Sequence, residues 1–167
     1  MKRIVVYGSI IIFIIILAGI QSYFDHRSKL TEVTPIEVLV YFSKSEPTDI
    51  VQLPITRFFS KSSSASEPST VELATFAIHE MLVGPNAEEI AQGLITAINV
   101  GTQLNYLKIN EGLATVDFND QFDWQMGGSA KVIAISQQLQ LTLTQFPMVD
   151  DIMITINHGE RLANLEP

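Results

Sequence analysis

Apolar and polar positions alternate over two long runs near the start of the chain, a pattern that is typical of β-strands. The first run extends from Pro35 to Phe42 and favours a largely buried strand. The second extends from Val51 to Phe59, and Pro54 within it indicates an edge position, because proline cannot donate to a strand ladder. Residues 43–49, between the two runs, are expected to form a turn-rich link.

The second half of the chain predicts a hairpin and a final strand. Residues 103–109 and 113–118 alternate in the same way around Asn110-Glu111-Gly112, so we expect a turn there. The final strand is expected over 152–156 and is stopped by His158-Gly159. The register that this turn sets would place five apolar side chains inward: Leu107, Ile109, Ala114, Val116 and Phe118.

Two helices are predicted from their capping signals. Ser69 with Glu72 and Asn86 with Glu89 both have the spacing of a capping box, in which each side chain accepts from the other residue's backbone amide. Gly84, followed by proline, ends the first of these helices. The second is expected to be short.

The longest helix is predicted after Gly127-Gly128, with Ser129 as its cap. Apolar residues from Val132 to Phe146 recur at three- and four-residue steps, and Pro147 ends the pattern. The order of elements is strand, strand, helix, short helix, hairpin, helix, strand. This order predicts an α+β fold, a mixed sheet with helices packed on one face.

Residues 4–24 carry no charged side chain and follow Lys2 and Arg3. A bilayer core needs about 20 apolar residues in a helix, and the basic start favours the cytoplasmic side. We therefore expect a single transmembrane anchor at 1–24, with the rest of the chain outside the cytoplasmic membrane. The alternative is a cleaved signal peptide, whose apolar region is usually shorter, about 7–15 residues.

Beyond the anchor we expect a polar stalk at 25–33, one domain at 34–160 and a tail at 161–167. All 18 acidic residues but only 8 of the 10 basic ones follow Phe24, since Lys2 and Arg3 precede it, which gives this part a net charge near −10. Such a surface repels nucleic acid, which is therefore not an expected partner. The chain has no cysteine, which excludes disulfides and a lipidated cysteine.

The tight acidic cluster of the chain is formed by Asp117, Asn119, Asp120 and Asp123. Oxygen ligands of this kind suit calcium, but the spacing departs from an EF-hand loop and no glutamate closes it. A carboxylate pair such as Asp117 and Asp120 could serve a glycosidase, although proximity in sequence does not set their separation across a substrate. We expect a solvated loop after a strand and assign no metal, cofactor-binding or catalytic residue.

The remaining chemistry-bearing residues are scattered. His26, His79 and His158 lack the helical spacing of a zinc site. Residues 127–129 could bind an anion through free backbone amides, although a flexible helix entry is the simpler interpretation. The serine-rich run 60–66 is expected to be a solvated loop, because no base partner for a nucleophilic serine is indicated.

Aromatic residues offer a different kind of site. Phe122 and Trp124 could form an exposed binding surface or fold back onto the sheet, and Tyr106 could join them in stacking on a glycan. No residue set matches a catalytic template, so we do not expect an enzyme.

Several motifs occur in an order that resembles the GerMN domain, the module of sporulation and spore-germination proteins of the GerM type. The resemblance covers residues of about 34–159. It is carried by Leu53-Pro54-Ile55-Thr56-Arg57, Met81-Leu82-Val83-Gly84-Pro85, Ile98-Asn99-Val100-Gly101-Thr102, Gly112-Leu113-Ala114-Thr115-Val116-Asp117-Phe118 and Thr142-Leu143-Thr144-Gln145-Phe146-Pro147-Met148-Val149.

The resemblance implies a small domain similar to the ring-building modules of secretion-system proteins, an envelope role and no known catalysis. Only one copy of the domain is present in this sequence, whereas the germination protein resembles a tandem of such domains. We expect a single-pass, extracytoplasmic domain that binds envelope proteins or itself. The alternatives are a module that binds cell-wall glycan (peptidoglycan) or a small ligand, and an enzyme that acts on the cell wall.

Overall fold

A computed structural model describes residues 16–23, 35–61 and 67–165. The chain divides into two compact units, residues 1–35 with 60–67 and residues 36–59 with 68–167. In the first unit, residues 16–23 are helical. Most of the anchor predicted over 1–24, and all of the stalk, lie outside the described residues. Within the described ranges, no helix has both the length and the apolar character needed to cross a membrane.

The first sheet of the second unit is antiparallel, with strand order β2-β1-β3. Its strands are β1 (Ile36–Ser45), β2 (Ile50–Phe59) and β3 (Leu94–Ile95). β1 pairs with β2 along its whole length. The link between them is therefore shorter than expected, because strand pairing continues through Ser45. Pro54 lies in an edge strand, as predicted.

The second sheet is mixed, with strand order β4-β5-β6-β7. Its strands are β4 (Leu104–Asn110), β5 (Leu113–Phe118), β6 (Asp151–Ile156) and β7 (Arg161–Leu162). β5 and β6 run parallel, and the other neighbours are antiparallel. The prediction of a single mixed sheet was wrong, since the strands divide between two sheets. Residues 161–162 were expected in a tail but form β7 on the edge of β6.

The helices are α1 (Thr70–Val83), α2 (Ala87–Ala91) and α3 (Ser129–Leu143). Both predicted capping boxes are present, at Ser69 for α1 and at Asn86 for α2. At α3 the N-cap is Gly128 without a side-chain hydrogen bond, so the prediction that Ser129 caps this helix was wrong.

The end of α3 also differs from the prediction. The helix ends at Leu143, and Phe146 then follows in a turn in which its amide donates to the Leu143 carbonyl. Phe146 is still buried, because this turn returns its ring to the core. The apolar spacing therefore continues beyond the C-terminal end of the helix.

Both long helices contact strands of the two sheets. α1 contacts β1 and β4, and α3 contacts β1 and β6. The core between them is apolar and includes all five side chains expected inward from the hairpin, with Ile109 only partly buried. This arrangement confirms the α+β class. Its largest fully buried side chains include Phe42, Phe118, Phe122, Ile78, Met81, Ile135 and Leu139.

The hairpin turn between β4 and β5 requires glycine. Glu111 and Gly112 both have positive φ, 48° and 83°, as in the tight turns that join antiparallel strands. A Cβ atom on Gly112 would clash with the Asp150 carboxylate. The amide of Asp150 in turn donates to the Gly112 carbonyl at 2.7 Å. The turn is thereby fixed against the start of β6.

Arg57 ties β2 to the first two helices. Its guanidinium donates to both carboxylate oxygens of Glu89 at 2.7 and 2.8 Å, and its Nε lies 3.2 Å from Glu80. The guanidinium also lies over the ring of Phe42, 5.6 Å from its centroid. The hydrogen bond from Arg57 and its charge hold the pKa of the Glu89 carboxyl below its usual value.

Both long edges of the first sheet are protected against further strand pairing. On the β1 side, the Gln145 amide accepts from the Leu39 amide at 2.9 Å and donates to the Leu39 carbonyl at 2.7 Å, as a neighbouring strand would. The Tyr41 amide donates to Thr142 on the same side. Since Tyr41 pairs with Pro54, the missing N–H of Pro54 falls on the outer edge of β2.

Candidate functional site

Asp117 lies at the end of β5 with its side chain fully buried. Its carboxylate accepts hydrogen bonds from Thr155 Oγ1 at 2.6 Å and from Asn105 Nδ2 at 2.8 Å. It also accepts from the backbone amides of His158 and Gly159, both at 2.7 Å. The donors come from β4, from β6 and from the turn after β6. Because they use both carboxylate oxygens, the carboxylate is not available to a substrate.

The pKa of Asp117 follows from this environment. Burial acts to raise the pKa, but the four hydrogen bonds outweigh it and hold the pKa below the usual value for aspartate. The carboxylate is therefore ionised at neutral pH. A general acid needs the opposite shift, so the geometry does not support that role.

The other two aspartates of the cluster bind Arg161. Its guanidinium donates to Asp123 at 2.9 Å and to Asp120 at 3.3 Å. Asp123 also accepts from the Asn164 amide at 3.0 Å. The hydrogen bond from Arg161 is the main reason that the pKa of Asp123 is lowered. The cluster thus fixes the C-terminal strand β7 rather than a ligand.

Asn119 completes the acidic cluster but points to a neighbouring loop. Its amide donates to the Gly101 carbonyl at 3.0 Å and accepts from the Gln103 amide at 3.1 Å. In the described part of the chain, no three histidine or carboxylate side chains converge as a metal site. Asp117 and Asp120, the possible glycosidase pair, are held by different sets of donors.

The remaining candidates lie apart from one another. His79 is exposed on α1, and His158 is exposed in the turn after β6 with a positive φ of 62°. His26 and most of the serine-rich run lie outside the described residues. Residues 127–129 form the entry to α3 described above.

The two aromatic residues of the acidic loop have opposite environments. Phe122 is fully buried and stacks on Phe118, with ring centroids 4.5 Å apart. Trp124 is 60% exposed, and the Asn99 amide donates to its carbonyl at 2.8 Å. Tyr106 is half-buried beneath the Lys108 ammonium. These aromatics therefore do not form a shared stacking platform, and only Trp124 is presented to solvent.

A surface that the sequence reasoning missed lies on the outer side of α3. Ile133, Gln137 and Leu141 follow one another at four-residue steps and are all exposed; we call them the α3 ridge. Ile133 is 54% exposed and Leu141 is 38% exposed. The signal was present in the composition of the helix, whose only charged residue is Lys131. Interfaces are depleted of charge in this way at their cores.

Shallow depressions flank the α3 ridge. One of about 400 Å³ is lined by Ala130, Ile133 and Gln137 with the turn between β1 and β2. Another of about 550 Å³ is lined by Gln137 and Leu141 with the start of β2. Ile50 contributes to both. The first depression is also lined by Glu46 and Asp49, whereas the lining of the second is uncharged.

Comparison with known proteins identifies the family of the chain. A family model named Germane and described as sporulation and spore germination matches residues 39–162. The chain belongs to the Germane family. This confirms the resemblance to the GerMN domain. The description names a biological process and no reaction, and no curated protein matches the chain.

Solved structures give the same assignment. The tandem GerMN domains of the sporulation protein GerM from Bacillus subtilis are 26% identical with a TM-score of 0.61, over 77% of this chain and 41% of theirs. The first GerMN domain of that protein is also 26% identical, with a TM-score of 0.51, over 76% and 86%. A Clostridium perfringens protein at 16% identity and a TM-score of 0.50 shares the fold alone, over 77% and 80%. The chain therefore spans less than half of the tandem protein.

Proposed function

We propose that this Germane-family chain is an assembly protein of the bacterial cell envelope, with a role in sporulation or germination. Residues 1–24 anchor it in the cytoplasmic membrane, and the GerMN-type domain lies outside, where it binds other envelope proteins or itself. The family and its relatives support the process, and the uncharged run at 4–24 supports the location.

The observation that carries an interaction role is the contrast between the acidic loop and the α3 ridge. The carboxylates of Asp117, Asp120 and Asp123 are engaged by donors of the domain itself. The apolar side chains of Ile133 and Leu141, by contrast, are directed outward from a helix with one charge. Exposed apolar side chains are typical of protein-binding surfaces.

Cross-linking of the full-length chain in intact cells, followed by mass spectrometry of the captured proteins, tests the assembly role. We expect reproducible capture of envelope proteins or of the chain itself, and recovery of the chain in a carbonate-resistant membrane pellet. Capture of nothing would contradict the interaction role. Recovery in the soluble fraction would contradict the anchor without affecting the domain assignment.

The exposure of Trp124 favours one alternative, a module that binds cell-wall glycan. An exposed indole can stack on a sugar ring. Cosedimentation of the chain with purified sacculi tests this function, with Trp124→Ala as the variant and His79→Ala, at another exposed position, as the control. Loss of binding with Trp124→Ala alone would favour the glycan module over the assembly protein.

A further inference from the structure

A third depression lies between the first turns of α3 and the residues that follow β3, and we call it the Lys131 pocket. Its volume of about 530 Å³ lies within the roughly 300–1,000 Å³ of small-ligand sites. Ile98 in its lining is 5% exposed, whereas Val100 is 95% exposed, so the pocket extends from the core to the surface. Its other apolar lining residues include Ile50, Ile95, Ala130 and Ala134.

The pocket has one polar group with donors to spare, the ammonium of Lys131. An ammonium has three N–H donors, and within the described part of the chain its acceptor is the side-chain oxygen of Asn99. Asn99 is itself fixed, because its amide donates to three carbonyls of the acidic loop, including that of Trp124. The ammonium is therefore held at the pocket with two donors left for a ligand or solvent.

The two hydroxyl groups in the lining are already used by the domain. Ser43 Oγ accepts from Gln52 Nε2 at 2.9 Å, and Thr96 Oγ1 accepts from the Ile98 amide at 3.2 Å. The pocket therefore combines an apolar wall with a single positively charged group. Ligand sites are typically lined in this way, by apolar side chains and a few polar groups that orient the ligand.

The charge of this pocket is opposite to that of the chain. Beyond residue 24 the net charge is near −10, yet none of the described residues that line the pocket carries a carboxylate. The neighbouring depression is lined by Glu46 and Asp49. Glu46 lies 3.5 Å from Lys44, and the Asp49 carboxylate accepts from the Ile50 amide at 2.7 Å. Lys131 is therefore not neutralised by a carboxylate in contact with it.

The start of α3 adds to the positive charge. Ala130 and Lys131 lie in the first turn of this helix, and its N-cap, Gly128, supplies no side-chain acceptor. The amides at the beginning of a helix carry a partial positive charge that favours an anion nearby. The helix end and the ammonium thus favour the same kind of ligand.

We infer that the Lys131 pocket binds a small amphipathic carboxylate, with its apolar body against the wall at Ile98 and its carboxylate at the Lys131 ammonium. One ammonium balances the single charge of a carboxylate, whereas a phosphate monoester carries a charge of about −1.5 to −2. This inference goes beyond the assembly role, and neither depends on the other.

Photochemical labelling of the full-length chain, reconstituted in vesicles of neutral phospholipid, tests the pocket. The probe is para-benzoylbenzoate, which has an apolar body and one carboxylate. We expect saturable labelling that peptide mass spectrometry locates to residues 95–100 or 130–134. The uncharged para-benzoylbenzamide should label this site about tenfold less well, because it cannot pair with the ammonium.

Variants at exposed or half-buried positions separate the parts of the site. Lys131→Gln should raise the half-saturating concentration of the acid by about tenfold, and Lys131→Arg should retain most of the labelling because it keeps the charge. Lys108→Gln is the matched control, since it removes the same charge from an exposed position on β4 and should change nothing. Ala130→Trp should abolish the labelling by filling the opening of the pocket. Thermal unfolding of each variant checks that the domain remains folded.

Three outcomes would overturn the inference. The first is equal labelling by the acid and the amide, and the second is labelling located elsewhere in the chain. The third is an equal response to Lys131→Gln and Lys108→Gln, which would show that net charge and not the pocket attracts the probe. Capture of envelope proteins by the Lys131→Gln chain should be unchanged, so the ligand site and the assembly role can fail separately.

Discussion

The acidic loop after β5 and the outer side of α3 differ in how their side chains are used. The loop is rich in residue types that bind metals and catalyse reactions, yet Asp117 and Asp123 are fully engaged in holding the domain together. α3 is composed mainly of apolar and uncharged polar residues, and Ile133 is exposed outside the core. In this domain the most reactive residue types are therefore used by the fold, whereas α3 leaves apolar side chains unused at its surface.

The largest effect that tests this comparison is expected within the loop. Phe122→Ala should destabilise the domain by about 3–5 kcal/mol, because it removes a fully buried ring and leaves a cavity beside Phe118. Trp124→Ala, two residues away, should change the free energy of unfolding by about 0.5 kcal/mol or less. Urea unfolding of both variants measures the difference. Similar losses in both would show that Trp124 also belongs to the core.

Asp117→Ala should be the next most severe change, at about 2–4 kcal/mol, because a buried donor left without an acceptor costs roughly 1–3 kcal/mol and only Thr155, among the four donors, makes a fully buried bond. Asp120 is 61% exposed in its ion pair with Arg161, so Asp120→Ala should cost less than about 1 kcal/mol. Chemical denaturation compares the two variants. A stable Asp117→Ala domain would mean that this carboxylate is retained for a purpose other than folding.

Gln145, which follows α3, and Gln140, which lies within it, allow the same comparison. Gln145→Ala removes both hydrogen bonds to the Leu39 backbone and should cost about 1–2 kcal/mol. Gln140 is exposed, and Gln140→Ala should change stability by about 0.5 kcal/mol or less. Thermal melting checks both. An equal effect would contradict the assignment of Gln145 as the cover of the β1 edge.

Acid should act on the engaged carboxylates. The pKa values of Asp117, Asp123 and Glu89 are all lowered in the folded state. Their contribution to the free energy of unfolding is therefore complete above the unfolded-state pKa values, about 3.9 for aspartate and 4.3 for glutamate. This contribution is lost as the pH falls through the lowered folded-state pKa values. Melting temperatures should be steady from neutral pH to about pH 5 and fall below about pH 4. Asp117→Asn should weaken this dependence, and an unchanged acid profile would contradict it.

Local signals predicted much of this fold. The capping boxes at Ser69 and Asn86, the edge position of Pro54 and the presence of a turn at Gly112 each depend on residues close in sequence. Ser129 failed as a cap because a glycine before it can take the N-cap position without a side-chain bond. The spacing through Phe146 failed because a turn can continue the apolar period of a helix.

The arrangement of sheets and the roles of the loop could not be predicted from one sequence. The parallel pairing of β5 with β6 joins residues far apart in the chain. The donors of Asp117 are likewise distant: Thr155 is 38 residues away and Gly159 is 42. A cluster of aspartates therefore has the same appearance in sequence whether it binds a metal or accepts hydrogen bonds from the rest of the domain.

The position of β1 has a mechanical consequence. The chain enters the domain at Ile36, the first residue of the central strand of the first sheet. A tension applied along β1 from the N-terminal side is shared by its ten pairings with β2 and by the Gln145 contacts on the opposite edge. The hydrogen bonds of the ladder are then loaded in shear along the whole strand and are not opened one at a time. The first strand after the predicted anchor in sequence is therefore well placed to resist being pulled out of the sheet.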